Sequence, residues 1–374
     1  MDSLDKCIIM LETNGMKFDY EGFKEVISTK QKELECIKAE IFMKLGIRHV
    51  ELDDVKEVVK ALYKIGVFPE SLAMEYLVQN KDNHPLYKLL LKYRNKKQFL
   101  VQYAKKLPTQ ICEDGRIRAK WTIDGAKTGR MTCSNPNLQA FPAITKQYFV
   151  AEKGYKFVIV DFSQIELRVL AEMSCDSNMI NTFIESRDIH IETASAIFAK
   201  PIVNISEIER DVGKKVNFGI CYGISAYGLQ ELLEKKAGLH VSLVQANYMR
   251  NRFYNRYPAI LDYYNRLLMA DEVFSLGGRG WKDINKGNRV RFNLPIQASA
   301  AEGLKEGLAL LITQLKSQWK LVNVVHDEVI LEVPEENVEE AKIVLEDCMI
   351  EGMKKLVKRV PIQVKAKVQD NWNK

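Results

Sequence analysis

The chain has 374 residues, of which 47% are hydrophobic and 28% charged, and its formal net charge is +6. These values describe an ordinary globular protein, long enough for one large domain or several smaller ones, and they select no function by themselves. The mild excess of basic residues is compatible with binding a polyanion, and it is equally within the ordinary spread of cytosolic proteins.

The spacing of the cysteines indicates whether a zinc site is present, and the first residues indicate whether the chain carries a secretory signal. The seven cysteines form no C-x-x-C pair and the five histidines are scattered, so the spacing of a zinc site is absent. Free thiols in a reducing compartment are therefore expected. The N-terminus is acidic where a secretory signal is basic, and the apolar run after it breaks at Glu12. We expect a cytosolic protein with no membrane association.

The first half of the chain is predicted to begin with helices. Apolar residues at helical spacing and few helix breakers predict helices over 21–45, 53–65 and 85–106. Between residues 107 and 142, Pro, Gly, Thr, Ser and Asn become frequent, which predicts turns and short extended pieces.

Strand patterns flank a polar, helical middle that covers about 165–275. The apolar segment Tyr155–Val160 predicts a strand that ends on Asp161. Late in the chain, two apolar runs flank His326-Asp327-Glu328, the pattern of a hairpin whose turn carries the acids. A helix over about 335–357 and a strand over 360–368 complete the prediction. This order favours an α+β domain with a helical insertion over an alternating βαβ enzyme.

Asp161 and Asp327 are the first candidates for chemistry, because each follows an apolar strand. If the two strands are neighbours in one sheet, the two carboxylates converge, and paired carboxylates with open coordination positions suit Mg²⁺. Two such ions can activate an attacking hydroxyl and stabilise a leaving oxygen. For either Asp taken alone, the favoured interpretation is a strand-end cap or a salt-bridge partner.

A second candidate group is Arg210, Lys214, Phe218 and Tyr222, spaced four residues apart and followed by Gly223. On a helix these side chains form one slowly turning stripe, with two cations at its start and two aromatic rings at its end. Cations can hold a triphosphate, and a ring beyond them can stack on a base. An amphipathic helix with a basic end and a buried aromatic end is the alternative.

A third candidate is Thr128-Gly129-Arg130, in the turn-rich region. An Arg held by tight turns could reach the minor-groove acceptors that all base pairs share, and would check pair geometry without reading sequence. A turn without function is the alternative at this position.

Three segments together resemble the family A DNA polymerases, the bacterial DNA polymerase I type. Asp161–Arg168, with the sequence D-F-S-Q-I-E-L-R, resembles motif A of that family. Arg210–Gly223 resembles motif B, the nucleotide-gripping helix, and Val325–Glu328 resembles motif C. The resemblance covers essentially the whole chain in the family's order; its further matches are Thr128–Arg130 with Asn135–Gln139, Asp188–His190, Tyr254-x-x-Tyr257-Pro258 and Asn293-x-Pro295-x-Gln297.

The resemblance implies an α+β right-hand polymerase with an antiparallel palm sheet, helical fingers and a helical thumb. The implied division is residues 1–106 mainly thumb with an N-terminal palm-edge segment, 107–180 the first part of the palm, 181–285 fingers and 286–374 the second part of the palm. It also implies a DNA-directed DNA polymerase that extends a primer 3′-hydroxyl and releases pyrophosphate. Because no nuclease-sized segment is recognised, we expect no intrinsic 3′–5′ proofreading.

The resemblance also implies roles for particular residues. Asp161 and Asp327 would bind two Mg²⁺ ions with the Phe162 carbonyl, Mn²⁺ would substitute, and Glu328 would be a catalytic neighbour. The implied nucleotide-binding residues are Ser163, Gln164, Ile165, Glu166, His190, Arg210, Lys214, Phe218 and Tyr222. The implied DNA-binding residues are Arg130, Asn137, Gln139, Tyr222, Gly223, Arg289, Asn293, Gln297 and His326.

Three of these residues have more specific implied roles. Glu166 resembles the family's steric gate against a ribose 2′-hydroxyl. Phe218 stands where some relatives have Tyr, which predicts poor use of dideoxynucleotides. Lys214 would both hold the triphosphate and protonate the departing pyrophosphate.

Primer–template DNA and deoxynucleoside triphosphates are the implied partners, with a separate nuclease or processivity factor as a further candidate. The implied state is a monomer in a bacterial or phage-infected cytosol. A single-subunit RNA polymerase shares the palm, but Glu166 and Phe218 argue against that class. A non-catalytic nucleic-acid-binding factor with the same fold would be expected to lose Asp161, Asp327 or Lys214, and all three are present.

Overall fold

The computed structural model describes residues 2–282 and 284–373 and divides into two units. No helix within these described residues is long and apolar enough to cross a membrane. The predicted thumb, palm and fingers boundaries at residues 106, 180 and 285 stay predictions. The first unit comprises the residues up to Met16, Arg118–Phe141 and Ala151–Asn373, and the second comprises Lys17–Ile117 and Pro142–Val150.

Helices make up most of the described chain, and short strands are spread along it. The α-helices are α1 (Ser3–Asn14), α2 (Tyr20–Leu45), α3 (Val55–Lys64), α4 (Met74–Gln79), α5 (Pro85–Leu100), α6 (Ala143–Lys146), α7 (Ile165–Ser174), α8 (Ser177–Ile184), α9 (Ile189–Phe198), α10 (Glu207–Cys221), α11 (Ala226–Ala237), α12 (Leu243–Arg256), α13 (Pro258–Met269), α14 (Val290–Ile312) and α15 (Val338–Lys354). The strands are β1 (Met16–Lys17), β2 (Arg116–Ile117), β3 (Lys120–Thr122), β4 (Thr132–Ser134), β5 (Tyr155–Phe162), β6 (Val273–Phe274), β7 (Gly280–Trp281), β8 (Lys320–Val325), β9 (Glu328–Pro334) and β10 (Val364–Gln369).

The second unit is built on two long helices, α2 and α5, which pack against each other. Helix α2 begins at Asp19, whose side chain accepts a hydrogen bond from the Gly22 amide at 2.9 Å, and ends at Gly46 in the left-handed conformation. A π-helical segment over Val101–Lys106 follows α5. The three helices predicted in this region are confirmed as α2, α3, and α5 with its π-helical extension.

The first unit contains a four-stranded antiparallel sheet in the order β10-β5-β9-β8. Phe157, Val158, Ile159 and Val160 are buried, as expected for a central strand with both faces covered. The prediction that the two acid-bearing strands are neighbours is confirmed, because β5 pairs with β9. Strand β5 also extends one residue past Asp161, so this carboxylate lies within the strand and not after it.

The last strand starts later than predicted, at Val364 and not at residue 360. Two features delay it. Pro361 has no N–H to donate to a strand neighbour, and its carbonyl accepts a hydrogen bond from the Arg168 guanidinium. The chain therefore reaches the sheet only after Gln363.

Helices α14 and α15 pack closely together, and α15 covers β5. Their close approach depends on glycine, because a Cβ atom on Gly352 would lie 2.1 Å from the Gly307 nitrogen. The helical middle of this unit, α7 to α13, confirms the predicted helical stretch over 165–275. Helix α9 packs against α10 there and faces the same end of the sheet as Asp161.

Candidate active site

The two predicted metal-binding acids come from neighbouring parts of the sheet. Asp161 on β5 lies opposite Glu328 on β9, and Asp327 belongs to the two-residue turn between β8 and β9. His326 in that turn has a φ of 59°, a conformation typical of tight hairpin turns. The Phe162 amide donates a hydrogen bond to the Asp327 carbonyl at 3.2 Å, which ties the turn to β5. The predicted hairpin is thus confirmed with Asp327 in its turn, whereas Glu328 is the first residue of β9 and not part of the turn.

The two carboxylates interact electrostatically. Burial and, to a smaller extent, the nearby Asp161 carboxylate together raise the pKa of Asp327 to about 7. Within residues 2–282 and 284–373, no group of three or more His, Cys, Asp or Glu side chains is arranged to hold a metal ion. The two carboxylates supply oxygen donors, and Mg²⁺ commonly completes such a set with water and phosphate oxygens. The residues present therefore fit a hydrated Mg²⁺ ion better than a closed protein cage.

The turn after β5 is held rigid by Arg168. Its Nε donates to the Ser163 carbonyl and its Nη2 to Gln363 Oε1, each at 2.8 Å, while its guanidinium lies 4.5 Å from the Phe183 ring centre. Burial lowers the pKa of Arg168 to about 10. Gln164, in the turn itself, has a φ of 57°, a left-handed conformation that such fixed neighbours can hold in place.

Two cations of α10, Arg210 and Lys214, line the same cavity as Asp161 and Asp327. The helix begins with a capping box, in which Ser206 and Glu209 exchange hydrogen bonds and fix its first turn. The Arg210 guanidinium donates to Asp188 Oδ2 through Nε at 2.9 Å and Nη2 at 2.7 Å. Burial acts to raise the pKa of Asp188, but the hydrogen bonds from Arg210 and from backbone amides outweigh it and hold that pKa below its usual value.

A second polar cluster surrounds Glu166 at the start of α7. Arg130 Nη2 donates to Glu166 Oε1 at 2.9 Å, and the Tyr222 hydroxyl donates to the same oxygen at 3.4 Å. Gln297 Nε2 donates to the Tyr222 hydroxyl at 3.2 Å. Burial, and then the Glu166 carboxylate, raise the pKa of Tyr222. Arg130 and Tyr222, from distant parts of the chain, therefore meet at one carboxylate, and Gln297 joins the cluster through Tyr222.

One cavity of about 700 Å³ brings most of the predicted residues together. Its lining combines carboxylates with cations, a composition suited to holding a phosphate group together with metal ions. The predicted site residues that line it are Arg130, Asp161, Phe162, Ser163, Gln164, Ile165, Glu166, His190, Arg210, Lys214, Phe218, Tyr222, His326 and Asp327.

The remaining predicted residues lie outside this cavity. Glu328 is buried, and its Oε1 accepts a hydrogen bond from Trp372 Nε1 at 2.9 Å. Gln139 Nε2 donates to the Met131 and Val324 carbonyls at 3.0 and 2.9 Å, so it braces the hairpin. Asn137 caps the short helix after it, Arg289 Nη1 donates to the Gly223 carbonyl at 3.3 Å, and Gln297 contacts Tyr222. Asn293 lies in the first turn of α14.

Sequence reasoning missed several residues that line the cavity, among them Gln363, just before β10, and Lys365, within β10. Lys365 lies directly opposite Asp161 in the sheet. No motif marks either residue; the only sequence signal was a basic residue in a predicted late strand. The buried Asn217 was also missed, because it lies between the members of the stripe on α10.

Comparison with known proteins gives consistent matches. The sequence profile of DNA polymerase family A matches residues 21–374. DNA polymerase I of Aquifex aeolicus is 32% identical over 98% of this chain, and the thermostable DNA polymerase I of Thermus filiformis is 30% identical over 99% of it. This chain spans 66% of the first relative's length and 47% of the second's.

A solved structure is similar over nearly the full chain. The POL domain of Pol1 from M. smegmatis, in complex with DNA primer–template and dNTP, matches with a TM-score of 0.84 and 24% sequence identity. The match covers 99% of this chain and 69% of that one. The two chains therefore share a fold.

Proposed function

This chain belongs to DNA polymerase family A, and on that premise we propose that it is a DNA-directed DNA polymerase. The observation that carries the proposal is the cavity lined by the carboxylates Asp161 and Asp327 together with the cations Arg210 and Lys214. Such a site can bind a triphosphate and the reacting hydroxyl together. The similar POL domain was solved with primer–template DNA and dNTP, and we propose the same classes of ligand for this chain.

In the proposed reaction, the primer 3′-hydroxyl attacks the α-phosphorus of the nucleotide in line, and pyrophosphate leaves. Two Mg²⁺ ions held by Asp161, Asp327 and the Phe162 carbonyl would activate the hydroxyl and offset charge on the leaving oxygen. Glu328, hydrogen-bonded to Trp372, stays a predicted neighbour of this pair.

The protein's own contribution is to position and neutralise the triphosphate. Arg210 is suited to a bidentate phosphate grip, and Lys214 supplies a point charge and a proton for the departing pyrophosphate. The bond from Arg210 to Asp188 would exchange for phosphate bonds when nucleotide binds. His190 and the turn residues Ser163, Gln164 and Ile165 would complete the pocket.

Selection of the correct nucleotide is proposed for the cluster around Glu166. Glu166 would exclude a ribose 2′-hydroxyl, and the Phe218 and Tyr222 rings would lie beside the base. The proposed contacts with template, primer or the nascent pair are Arg130, Asn137, Gln139, Tyr222, Gly223, Arg289, Asn293, Gln297 and His326.

The first experiment is primer extension on a defined DNA template with Mg²⁺, with deoxy- and ribonucleotides in separate reactions and a mismatched 3′ end in a third. We expect template-dependent deoxynucleotide addition without removal of the mismatch. Ribonucleotide addition at equal efficiency would instead favour the RNA polymerase alternative. Binding of primer–template without extension, with Mg²⁺ or Mn²⁺, would favour the non-catalytic one.

Asp161→Asn tests the metal assignment. The change keeps the side chain's shape but removes its charge, so extension should fall by about 1,000-fold or more, while primer–template affinity stays within about threefold. Asp262→Asn, the same change on an exposed position of α13, is the matched control and should extend normally. Undiminished extension by Asp161→Asn would refute the assignment.

A further inference from the structure

A buried chain of hydrogen bonds lies behind His190. Asn217 Nδ2 is 2.9 Å from His190 Nδ1, and Asn217 Oδ1 is 2.8 Å from Thr193 Oγ1. Thr193 Oγ1 is in turn 3.4 Å from the Tyr257 hydroxyl. Asn217, Thr193 and Tyr257 are fully buried and His190 is 3% exposed, so water cannot substitute for any of these bonds.

The orientation of the Asn217 amide follows from a third neighbour. The same end of the amide that meets His190 also lies 3.4 Å from the Ile189 carbonyl oxygen. A carbonyl oxygen only accepts hydrogen bonds, so the NH₂ group of Asn217 must occupy that end. The Thr193 hydroxyl then donates to Asn217 Oδ1, and the Tyr257 hydroxyl donates to Thr193 Oγ1. Reversing the amide would bring two oxygens together at Ile189.

This orientation decides which ring nitrogen of His190 carries the proton. Since the Asn217 NH₂ group donates to Nδ1, Nδ1 has no hydrogen and accepts. A neutral imidazole with an accepting Nδ1 carries its hydrogen on Nε2. Nε2 lies 3.2 Å from Gln164 Nε2, and both His190 and Gln164 line the cavity. Two donors cannot share a hydrogen bond, so in this tautomer the Gln164 amide is reversed and its oxygen accepts the Nε2 hydrogen, unless a bound phosphate oxygen accepts it instead.

We infer that Asn217 is a positioning residue that holds His190 as its neutral Nε2–H tautomer, so that the ring presents a hydrogen-bond donor to the incoming triphosphate. The part of the inference that concerns the triphosphate rests on the proposed function, since a triphosphate must enter the cavity. The tautomer itself depends only on the contacts among Ile189, His190, Thr193 and Asn217.

The charges around the ring agree with a neutral state. The pKa of His190 is lowered to about 4, mainly by burial. Arg210 and Lys214 on α10 also lower this pKa, whereas Asp188 at the start of α9 and Asp211 on α10 raise it. On the α12 side, Arg256 is paired with Glu192 at 2.8 Å. At neutral pH the ring is therefore uncharged, and it adds a directed donor to the two cations without adding a third charge.

Asn217→Asp tests the inference with a side chain of the same shape. A carboxylate only accepts, so Nδ1 must now carry the hydrogen, and the neutral ring would turn a bare Nε2 toward the phosphates. The carboxylate also favours the doubly protonated ring, which restores the Nε2 hydrogen at lower pH. We expect the dNTP KM of the variant, relative to the unaltered enzyme, to rise about 10-fold at pH 8 and clearly less at pH 6, with kcat changed less than about threefold.

His190→Gln is the matched background for this test. If Asn217 acts through His190, Asn217→Asp should have little further effect on KM, and no pH dependence, in the His190→Gln enzyme. An equal effect in both backgrounds, or a KM ratio that does not change with pH, would mean that Asn217 only supports the fold and would overturn the inference.

A measurement on the unaltered chain needs no activity. With ¹⁵N-labelled histidine, the five histidine rings can be followed by NMR, and the His190 signals identified by their loss in His190→Gln. We expect an unprotonated Nδ1 and a protonated Nε2 for His190 from pH 8 down to pH 6. Protonation at Nδ1 in this range would overturn the inference even when the Asp variant does not fold. Absence of polymerase activity would refute the proposed function and leave this readout intact.

Discussion

At the residue scale, the Glu166 carboxylate is buried and hydrogen-bonded, yet Glu166 also lines the cavity. Its side chain is 8% exposed, and Oε1 accepts hydrogen bonds from Arg130 and Tyr222. Both donors lie outside α7, so the carboxylate cannot rotate away without breaking its hydrogen bonds to both Arg130 and Tyr222. A sugar that approached Glu166 would therefore meet a carboxylate held in one position.

Glu166→Ala should relax discrimination against ribonucleotides by about 10-fold or more, because the smaller side chain leaves room for a 2′-hydroxyl. The measurement is the ratio of kcat/KM for a deoxynucleotide to that for the matching ribonucleotide. Glu172→Ala is a suitable control, since Glu172 is a buried carboxylate on the same helix that pairs with Arg359 at 3.2 Å. An unchanged ratio in Glu166→Ala, or an equal change in the control, would contradict the gate role.

Some residues of the site could be predicted and others could not, for physical reasons. Asp327 was predictable because apolar runs on both sides of a two-residue turn specify a hairpin locally. Lys365 was not, because its position opposite Asp161 depends on the register between strands far apart in sequence. Asn217 was missed because its partner, His190, is chosen by the packing of α9 on α10.

At the element scale, two helices can be compared directly because both have a capping box at the N-terminus. Helix α10 and helix α12 each begin with a capping box, formed by Ser206 with Glu209 and by Ser242 with Gln245. Only the first of these lies one residue ahead of a side chain that lines the cavity, since Arg210 directly follows Glu209. The same local interaction therefore supports the site in one helix and only the fold in the other.

Ser206→Ala should destabilise the protein by about 0.5–2 kcal/mol through loss of the cap, and Ser242→Ala should cost a similar amount. Because the first turn of α10 positions Arg210, Ser206→Ala should also raise the dNTP KM by about twofold to fivefold, whereas Ser242→Ala should not. Steady-state kinetics with both variants measure the difference. Equal KM values would show that the cap does not fix Arg210.

At the scale of the whole molecule, the predicted fold class is confirmed. The chain is an α+β protein with the fold of a family A polymerase domain, in which an antiparallel sheet carries the acids and a helical insertion carries the cations. The order of strand and helix patterns in the sequence was enough for the α+β class, and the polymerase fold was predicted from the resemblance of the three motifs to the family. The assignment of residues 17–117 with 142–150 to a separate unit was not predictable, because the return of a short segment to that unit depends on tertiary contacts.

The stability of the first unit should depend on the centre of its sheet. Ile330 on β9 is fully buried, so Ile330→Ala should lower the free energy of unfolding by about 2–5 kcal/mol. Ile343→Ala on α15, where the side chain is 57% exposed, should change it by less than about 0.5 kcal/mol. Tryptophan fluorescence during denaturation reports on this unit, since Trp121, Trp281, Trp319 and Trp372 all lie within it. Equal losses in both variants would contradict the described burial.

The position of β5 in the sheet has a consequence for synthesis of the chain. Both strand neighbours of β5 come from much later sequence, and Arg168, which braces the turn after it, bonds to a residue 195 positions further on. At about 5–20 residues per second, a ribosome needs roughly 10–40 s to supply that partner. During this interval an apolar strand has unpaired edges, so we expect the nascent chain to depend on chaperone binding or local helix packing until its last strand emerges.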